Sequence, residues 1–123
     1  MPKTILIVDD SASLRTVIKL ALARDGYDVI EAANGLEGVA RLEMTGKVHL
    51  ILGDVNMPDM DGIAFVEHVK AHPRHGATPV IMLGTAGQDA RKEQARSAGA
   101  KAWFTKPFNT SQLLGAVGKL VLP

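Results

Sequence analysis

Short apolar runs alternate along this chain with segments in which apolar residues recur at helical spacing. The short runs are rich in Ile, Leu and Val, and they predict five β-strands: Thr4 to Val8, Asp28 to Ala32, Val48 to Gly53, Val80 to Gly84 and Ala102 to Thr105. The helical pattern predicts five helices around the segments Leu14 to Leu22, Leu36 to Leu42, Ile63 to Val69, Gln88 to Ala98 and Leu113 to Val121.

Residues that cap or stop helices lie at the expected ends of these segments. Ser11 or Ser13 is placed to cap the first helix, and Asn109, Thr110 or Ser111 to cap the last. Gly26, Gly46 and Gly99 follow the first, second and fourth helices as stops.

Strict alternation of strand and helix predicts an α/β fold in which helices cover both faces of a parallel sheet. Nearly continuous apolar strands agree, since such strands are buried on both sides. We therefore expect one domain over residues 1–123, a doubly wound (βα)5 five-stranded parallel sheet with the flavodoxin-like order 2-1-3-4-5.

Composition narrows the function classes. Hydrophobic residues make up 46% of the 123 residues and aromatics 4%, so the core must be aliphatic. A net charge of +1 gives no reason to expect binding to nucleic acid or to a membrane surface. The absence of cysteine excludes disulfides and thiolate metal sites, and no apolar run is long enough for a signal peptide or membrane span. We expect a cytoplasmic protein.

Charged residues follow three of the predicted strands. Asp9 and Asp10 follow the first strand, Asp54 the third and Lys106 the fifth. Because the carboxyl ends of parallel strands meet at one edge, these side chains are expected to share a crevice. Each residue alone has an ordinary interpretation: an Asp-Asp pair caps helices, and Asp54 before Asn56-Met57-Pro58 suits a turn. Their occurrence together at one rim of the sheet favours a functional site over these separate structural roles.

Three neighbouring carboxylates repel one another, and one lysine offsets only part of that charge. The remaining negative charge suits Mg²⁺, which prefers oxygen ligands and binds phosphate oxygens at the same time. An aspartate beside Mg²⁺ and a lysine can act as a nucleophile and form an aspartyl-phosphate.

Over essentially its whole length the sequence resembles the response-regulator receiver domains of two-component signalling. The matching stretches are Ile5 to Asp10, Asp54 to Gly62, Ala98 to Ala100 and Lys106 to Phe108. The resemblance implies that Asp54 is the phosphoacceptor and that Mg²⁺ is bound by Asp9, Asp10, Asp54 and the backbone carbonyl of Asn56, with Asp9 acting through water or directly. It also implies that Lys106 binds the phosphoryl group and that the Lys106–Pro107 bond is cis.

One departure from that family concerns the end of the fourth strand. Receivers usually place Thr or Ser there, and its hydroxyl binds the phosphoryl group, whereas this chain has Gly84 with Thr85 next to it. Trp103 lies where such domains often place a switch aromatic. We expect phosphorylation to survive, the response of Trp103 to weaken, and Thr85 to substitute for the hydroxyl only if a local bulge turns it inward.

The main functional hypothesis is a phosphorylation switch. A histidine kinase or phosphotransfer protein would phosphorylate Asp54, and the output would pass by protein contact at the side formed by helix 4, strand 5 and helix 5, in chemotaxis or a phosphorelay. One alternative is an Mg²⁺-dependent phosphatase similar to the haloacid dehalogenases, although these place Asp-x-Asp after the first strand. The other is a flavin or nucleotide carrier, which the acidic loop Asp9 to Ser13 disfavours.

The histidines support no further site. His68 and His72 share a helix face, but no third metal ligand is apparent, so a solvated helix end is the simpler interpretation. His75 is expected at the surface.

Overall fold

Five strands and five helices alternate along residues 2–123, the part of the chain that the computed structural model describes. The strands are β1 (Thr4–Val8), β2 (Asp28–Ala32), β3 (Leu50–Asp54), β4 (Val80–Gly84) and β5 (Ala102–Thr105). The helices are α1 (Ala12–Arg24), α2 (Gly35–Met44), α3 (Gly62–Ala71), α4 (Asp89–Ala98) and α5 (Thr110–Leu120).

All neighbouring strands pair in parallel, in the order β2-β1-β3-β4-β5. This confirms the predicted fold class and strand order. The order reverses between β1 and β3, so the chain leaves these two strands toward opposite faces and opens a crevice at their carboxyl ends.

The sheet has a separate core on each face, because successive strand residues point to opposite sides. In β1, Leu6 and Val8 pack toward α2, α3 and α4, whereas Ile5 and Ile7 pack toward α1 and α5. All four are 0% exposed. Burial on both faces explains why the strands read as unbroken apolar runs. No helix within residues 2–123 is both long enough and apolar enough to span a bilayer.

The predicted element ends need two small corrections. Strand β3 begins at Leu50 rather than Val48 and includes Asp54, because Asp54 still pairs with Leu83 of β4. Helix α4 begins at Asp89, and Gln88 is its N-cap. The side chains of Ser11 and Asn109 cap α1 and α5 by accepting backbone N–H groups, which resolves the alternatives left by the sequence.

Gly62 fixes the start of α3 against the end of β3. A β-carbon on this residue would lie 2.4 Å from the carbonyl oxygen of Asp54 and 2.5 Å from Cα of Val55. The Gly62 N–H donates to the carbonyl of Val55 at 3.2 Å. Only glycine permits this approach, which holds the segment after Asp54 as a tight loop.

Candidate functional site

The carboxyl ends of β1, β3 and β5 bring two aspartates and a lysine into contact. Lys106 Nζ lies 2.9 Å from Asp9 Oδ2 and 3.4 Å from Asp54 Oδ2. The other oxygen of each carboxylate accepts a backbone N–H: Ser11 donates to Asp9 at 2.8 Å, and Asn56 donates to Asp54 at 3.0 Å. The Lys106–Pro107 peptide bond is cis, as expected.

Asp10 completes an acidic cluster at this rim. One carboxylate oxygen from each of Asp9, Asp10 and Asp54 lies within 4.8 Å of the others. Within residues 2–123 this is the one group of three or more acidic, histidine or cysteine side chains arranged so closely. Asp9 is 0% exposed and Asp54 3%, whereas Asp10 faces solvent. The convergence predicted from the sequence is therefore present.

Burial dominates the electrostatics of Asp54. It raises the pKa of Asp54 above its ordinary value, and the neighbouring Asp9 carboxylate acts in the same direction. The N–H of Asn56 and the charge of Lys106 oppose this rise without cancelling it. Burial alone would lower the pKa of Lys106, but its bond to Asp9 and the charge of Asp54 outweigh burial and raise it. Lys106 therefore stays a cation.

The donor set of the acidic cluster fits a hard divalent cation. It offers carboxylate oxygens only, of which those of Asp9 and Asp54 are held in place by backbone N–H groups and Lys106. A single lysine leaves the three carboxylates with an excess of negative charge. Mg²⁺ prefers this combination of few carboxylates and open positions for other oxygens.

Gly84 and Trp103 are in direct contact. Gly84 ends β4, and a β-carbon on it would lie 1.9 Å from Cζ2 of Trp103. The indole therefore occupies the space that a side chain at position 84 would fill, and its Nε1 donates to Thr105 Oγ1 at 3.2 Å. Trp103 is partly buried against the core below α4. The absence of a side chain at position 84 therefore removes the hydroxyl and also makes room for the indole of Trp103.

Thr85 lies beyond the end of β4 and is exposed. Its backbone N–H donates to Gln88 Oε1 at 2.7 Å. A role for its hydroxyl stays a prediction.

Two side chains of the α4 region reach the loop after Asp54, and the sequence did not reveal them. The carboxamides of Gln88 and Asn56 bond reciprocally, at 2.9 and 3.3 Å. Arg91 donates to the carbonyl of Val55 and pairs with Asp61. Nothing in the local sequence indicates these contacts, because they depend on the start of α4 lying against this loop in the folded chain.

The histidines lie away from this rim. His72 pairs with Glu43 at 2.8 Å, and its Nδ1 accepts the N–H of Arg74. The expectation of a surface His75 is wrong: it is 1% exposed and its Nε2 bonds the carbonyl of Leu42 at 2.9 Å. This contact comes from the end of α2, far away in sequence.

Comparison with curated proteins finds chemotaxis proteins among the similar chains. Chemotaxis protein CheY1 of Helicobacter pylori strain J99 is 39% identical over 119 residues, which cover 96% of this chain and 95% of that protein. A CheY homolog of Campylobacter jejuni is 39% identical over 111 residues, covering 89% and 85% of the two chains.

Solved structures agree. The chemotaxis response regulator CheY4 of Vibrio cholerae superposes with a TM-score of 0.91 at 35% identity, over 98% of this chain and 100% of that one. The family model described as the response regulator receiver domain matches residues 5–118. Proteins of this family act in phosphorylation-dependent signalling and bind Mg²⁺ at an aspartate cluster. This chain belongs to the response regulator receiver domain family.

Proposed function

We propose that this receiver is a signalling switch whose phosphoryl group is carried by Asp54. In this proposal Asp9, Asp10, Asp54 and the backbone carbonyl of Asn56 hold Mg²⁺, and Lys106 binds a phosphoryl oxygen. The observation that carries the proposal is the convergence of three carboxylates, two of which contact Lys106, at the rim where β1, β3 and β5 end.

The transfer step follows from the position of Asp54. A carboxylate oxygen of Asp54 attacks the phosphorus of the donor, the P–O or P–N bond to the donor breaks, and the leaving group takes that electron pair. For phosphohistidine the leaving group is an imidazole, which picks up a proton from solvent. Hydrolysis by water then returns the carboxylate of Asp54 and inorganic phosphate, so the chain promotes both steps of its own cycle without being a conventional enzyme.

Lys106 and Asp9 support this step in different ways. Lys106 already bridges Asp9 and Asp54, so its ammonium lies where phosphoryl oxygens arrive. Asp9 holds the lysine through a bond that does not involve the nucleophile. Mg²⁺, when bound, supplies further positive charge for the transferred group.

Receivers of this class partner with histidine kinases or phosphotransfer proteins. We propose such a donor here, and a role in chemotaxis, because the relatives matched over most of their length are chemotaxis proteins. A cytoplasmic location stays a prediction. Nothing supports the alternatives of a phosphatase or a flavin or nucleotide carrier: the candidate nucleophile ends β3, and the loop after β1 is acidic.

The proposed output surface is formed by α4, β5 and α5. A groove between α4 and β5 is bordered by Trp103, by the basic residues Lys92, Arg96 and Lys101, and by Glu93, which pairs with Arg96 and leaves the lining with a net positive charge. Basic side chains around an apolar ring favour an acidic protein segment as the downstream partner. Binding to nucleic acid or to a membrane is not part of the proposal.

The direct experiment is incubation with acetyl phosphate and Mg²⁺, followed by intact mass measurement. We expect the wild type to gain the mass of one phosphoryl group. Asp54→Asn should gain no phosphoryl group. The matched control Asp28→Asn should be phosphorylated like the wild type, because Asp28 is exposed on β2 outside the cluster. A phosphoryl adduct on Asp54→Asn would refute the assignment.

The raised pKa of Asp54 has a consequence for stability. The folded protein holds a buried charge at neutral pH that the unfolded chain holds in water, so Asp54→Asn should raise the melting temperature in EDTA by roughly 2–5 °C. The gain should be largest above the raised pKa, shrink as pH falls through it, and vanish below the ordinary carboxyl range, where Asp54 is neutral in both states. Thermal melts from pH 3 to 8 check this, with Asp28→Asn as control. A variant that melts with the wild type at every pH would contradict the expected cost.

The contact between Gly84 and Trp103 alters the expected effect of a side chain at position 84. Any β-carbon there collides with the indole, so Gly84→Ala should displace the ring toward solvent, shift its emission to longer wavelength and increase its quenching by acrylamide. Gly84→Thr would restore a hydroxyl but would displace the ring first.

Gly118→Ala is the matched control, because a β-carbon on this exposed α5 glycine meets nothing within 4 Å. Trp103 is the single tryptophan, so the signal is unambiguous. Emission from Gly84→Ala that coincides with that of the wild type would show that the ring does not rest on Gly84.

A further inference from the structure

A reciprocal pair of side-chain amides connects the loop after β3 with the loop after β4. Gln88 Nε2 donates to Asn56 Oδ1 at 2.9 Å, and Asn56 Nδ2 donates to Gln88 Oε1 at 3.3 Å. The same Gln88 oxygen accepts the N–H of Thr85 at 2.7 Å, which fixes the carboxamide at both of its atoms. An N-cap residue that bonds across to another loop instead of capping its own helix has a role beyond helix formation.

The loop on the other side of this pair belongs to the nucleophile. Asn56 is two residues after Asp54, and its backbone N–H donates to Asp54 Oδ1. Gln88 therefore holds the side chain of Asn56, the same residue whose backbone N–H orients the Asp54 carboxylate. Because β3 and β4 are adjacent in the sheet, the pair spans one side of the opening above Asp54.

The burial of Asp54 makes that opening important. Its 3% exposure must suffice for a phosphoryl donor to enter and for water to attack the product. Asn56 is exposed and Gln88 is partly exposed, so the pair lies at the outer edge of the opening. Exposed hydrogen bonds are weak enough to open on the time scale of a signalling event.

We propose that Gln88 is a positioning residue that, by pairing with Asn56, closes one side of the phosphorylation crevice and slows both the gain and the loss of phosphoryl on Asp54. The proposal rests on the proposed function, since it concerns the kinetics of that site. A cover that opens before either reaction slows both by a similar factor, whereas a group that stabilises the transferred phosphoryl would change the two differently.

The experiment measures both rates by intact mass, with acetyl phosphate and Mg²⁺ for labelling and with removal of the donor for hydrolysis. Gln88→Ala and Asn56→Ala should each raise both rates by about 2- to 10-fold, the range that one or two exposed hydrogen bonds correspond to. The double variant should be no faster than either single variant, because the pair acts as a unit. Gln94→Ala, an exposed glutamine on the same helix, should behave as the wild type.

Different outcomes would contradict the phosphorylation of Asp54 and the role of Gln88. If the wild type is not labelled on Asp54, the proposed function and this inference both fail. If it is labelled but neither rate of Gln88→Ala exceeds that of Gln94→Ala, or only one of the two rates rises, the inference alone is overturned. Effects of Gln88→Ala and Asn56→Ala that multiply in the double variant would show that the two residues act independently, and would also overturn it. A melting temperature close to that of the wild type confirms that the variants fold.

Discussion

The mutual repulsion of carboxylates in a partly dehydrated crevice is the constraint on which the rest of this structure depends. A parallel sheet wound in the order β2-β1-β3-β4-β5 directs the ends of β1 and β3 to one place, and both strands deliver aspartates there. Lys106 offsets part of the charge by contacting Asp9 and Asp54 together. In the proposed function, the remaining excess of negative charge attracts a divalent cation, and the cation in turn attracts the phosphoryl group.

The scaffold is built to hold this arrangement. Apolar strands buried on both faces leave the sheet little freedom to relax, so the charges cannot move apart by bending it. Gly62 brings α3 against the carbonyl of Asp54 at a distance that no other residue allows. Arg91 and Gln88 tie the start of α4 to the same loop. The loop after Asp54 is therefore connected to the start of α4 through direct contacts.

Much of this could be predicted from the sequence, and the reason is physical. Strand ends are visible where an apolar run stops at a charged residue, and a parallel order forces those ends together, so the meeting of Asp9, Asp10, Asp54 and Lys106 follows from one-dimensional information. The placement of Trp103 over Gly84 does not, because it depends on the rotamer of a ring on the neighbouring strand. The pair of Asn56 and Gln88 and the burial of His75 depend likewise on loops that meet only in the folded chain.

The most direct test of the account is a fluorine NMR measurement of beryllium fluoride binding, because this phosphoryl analogue can bind the Asp54 carboxylate with support from the lysine and the cation. With Mg²⁺ present, the wild type should show resonances of protein-bound fluoride, and they should disappear in EDTA and in Asp54→Ala. Bound-fluoride resonances that persist without the cation, or without the Asp54 carboxylate, would contradict the claim that the crevice at the ends of β1, β3 and β5 is a cation-dependent phosphorylation site.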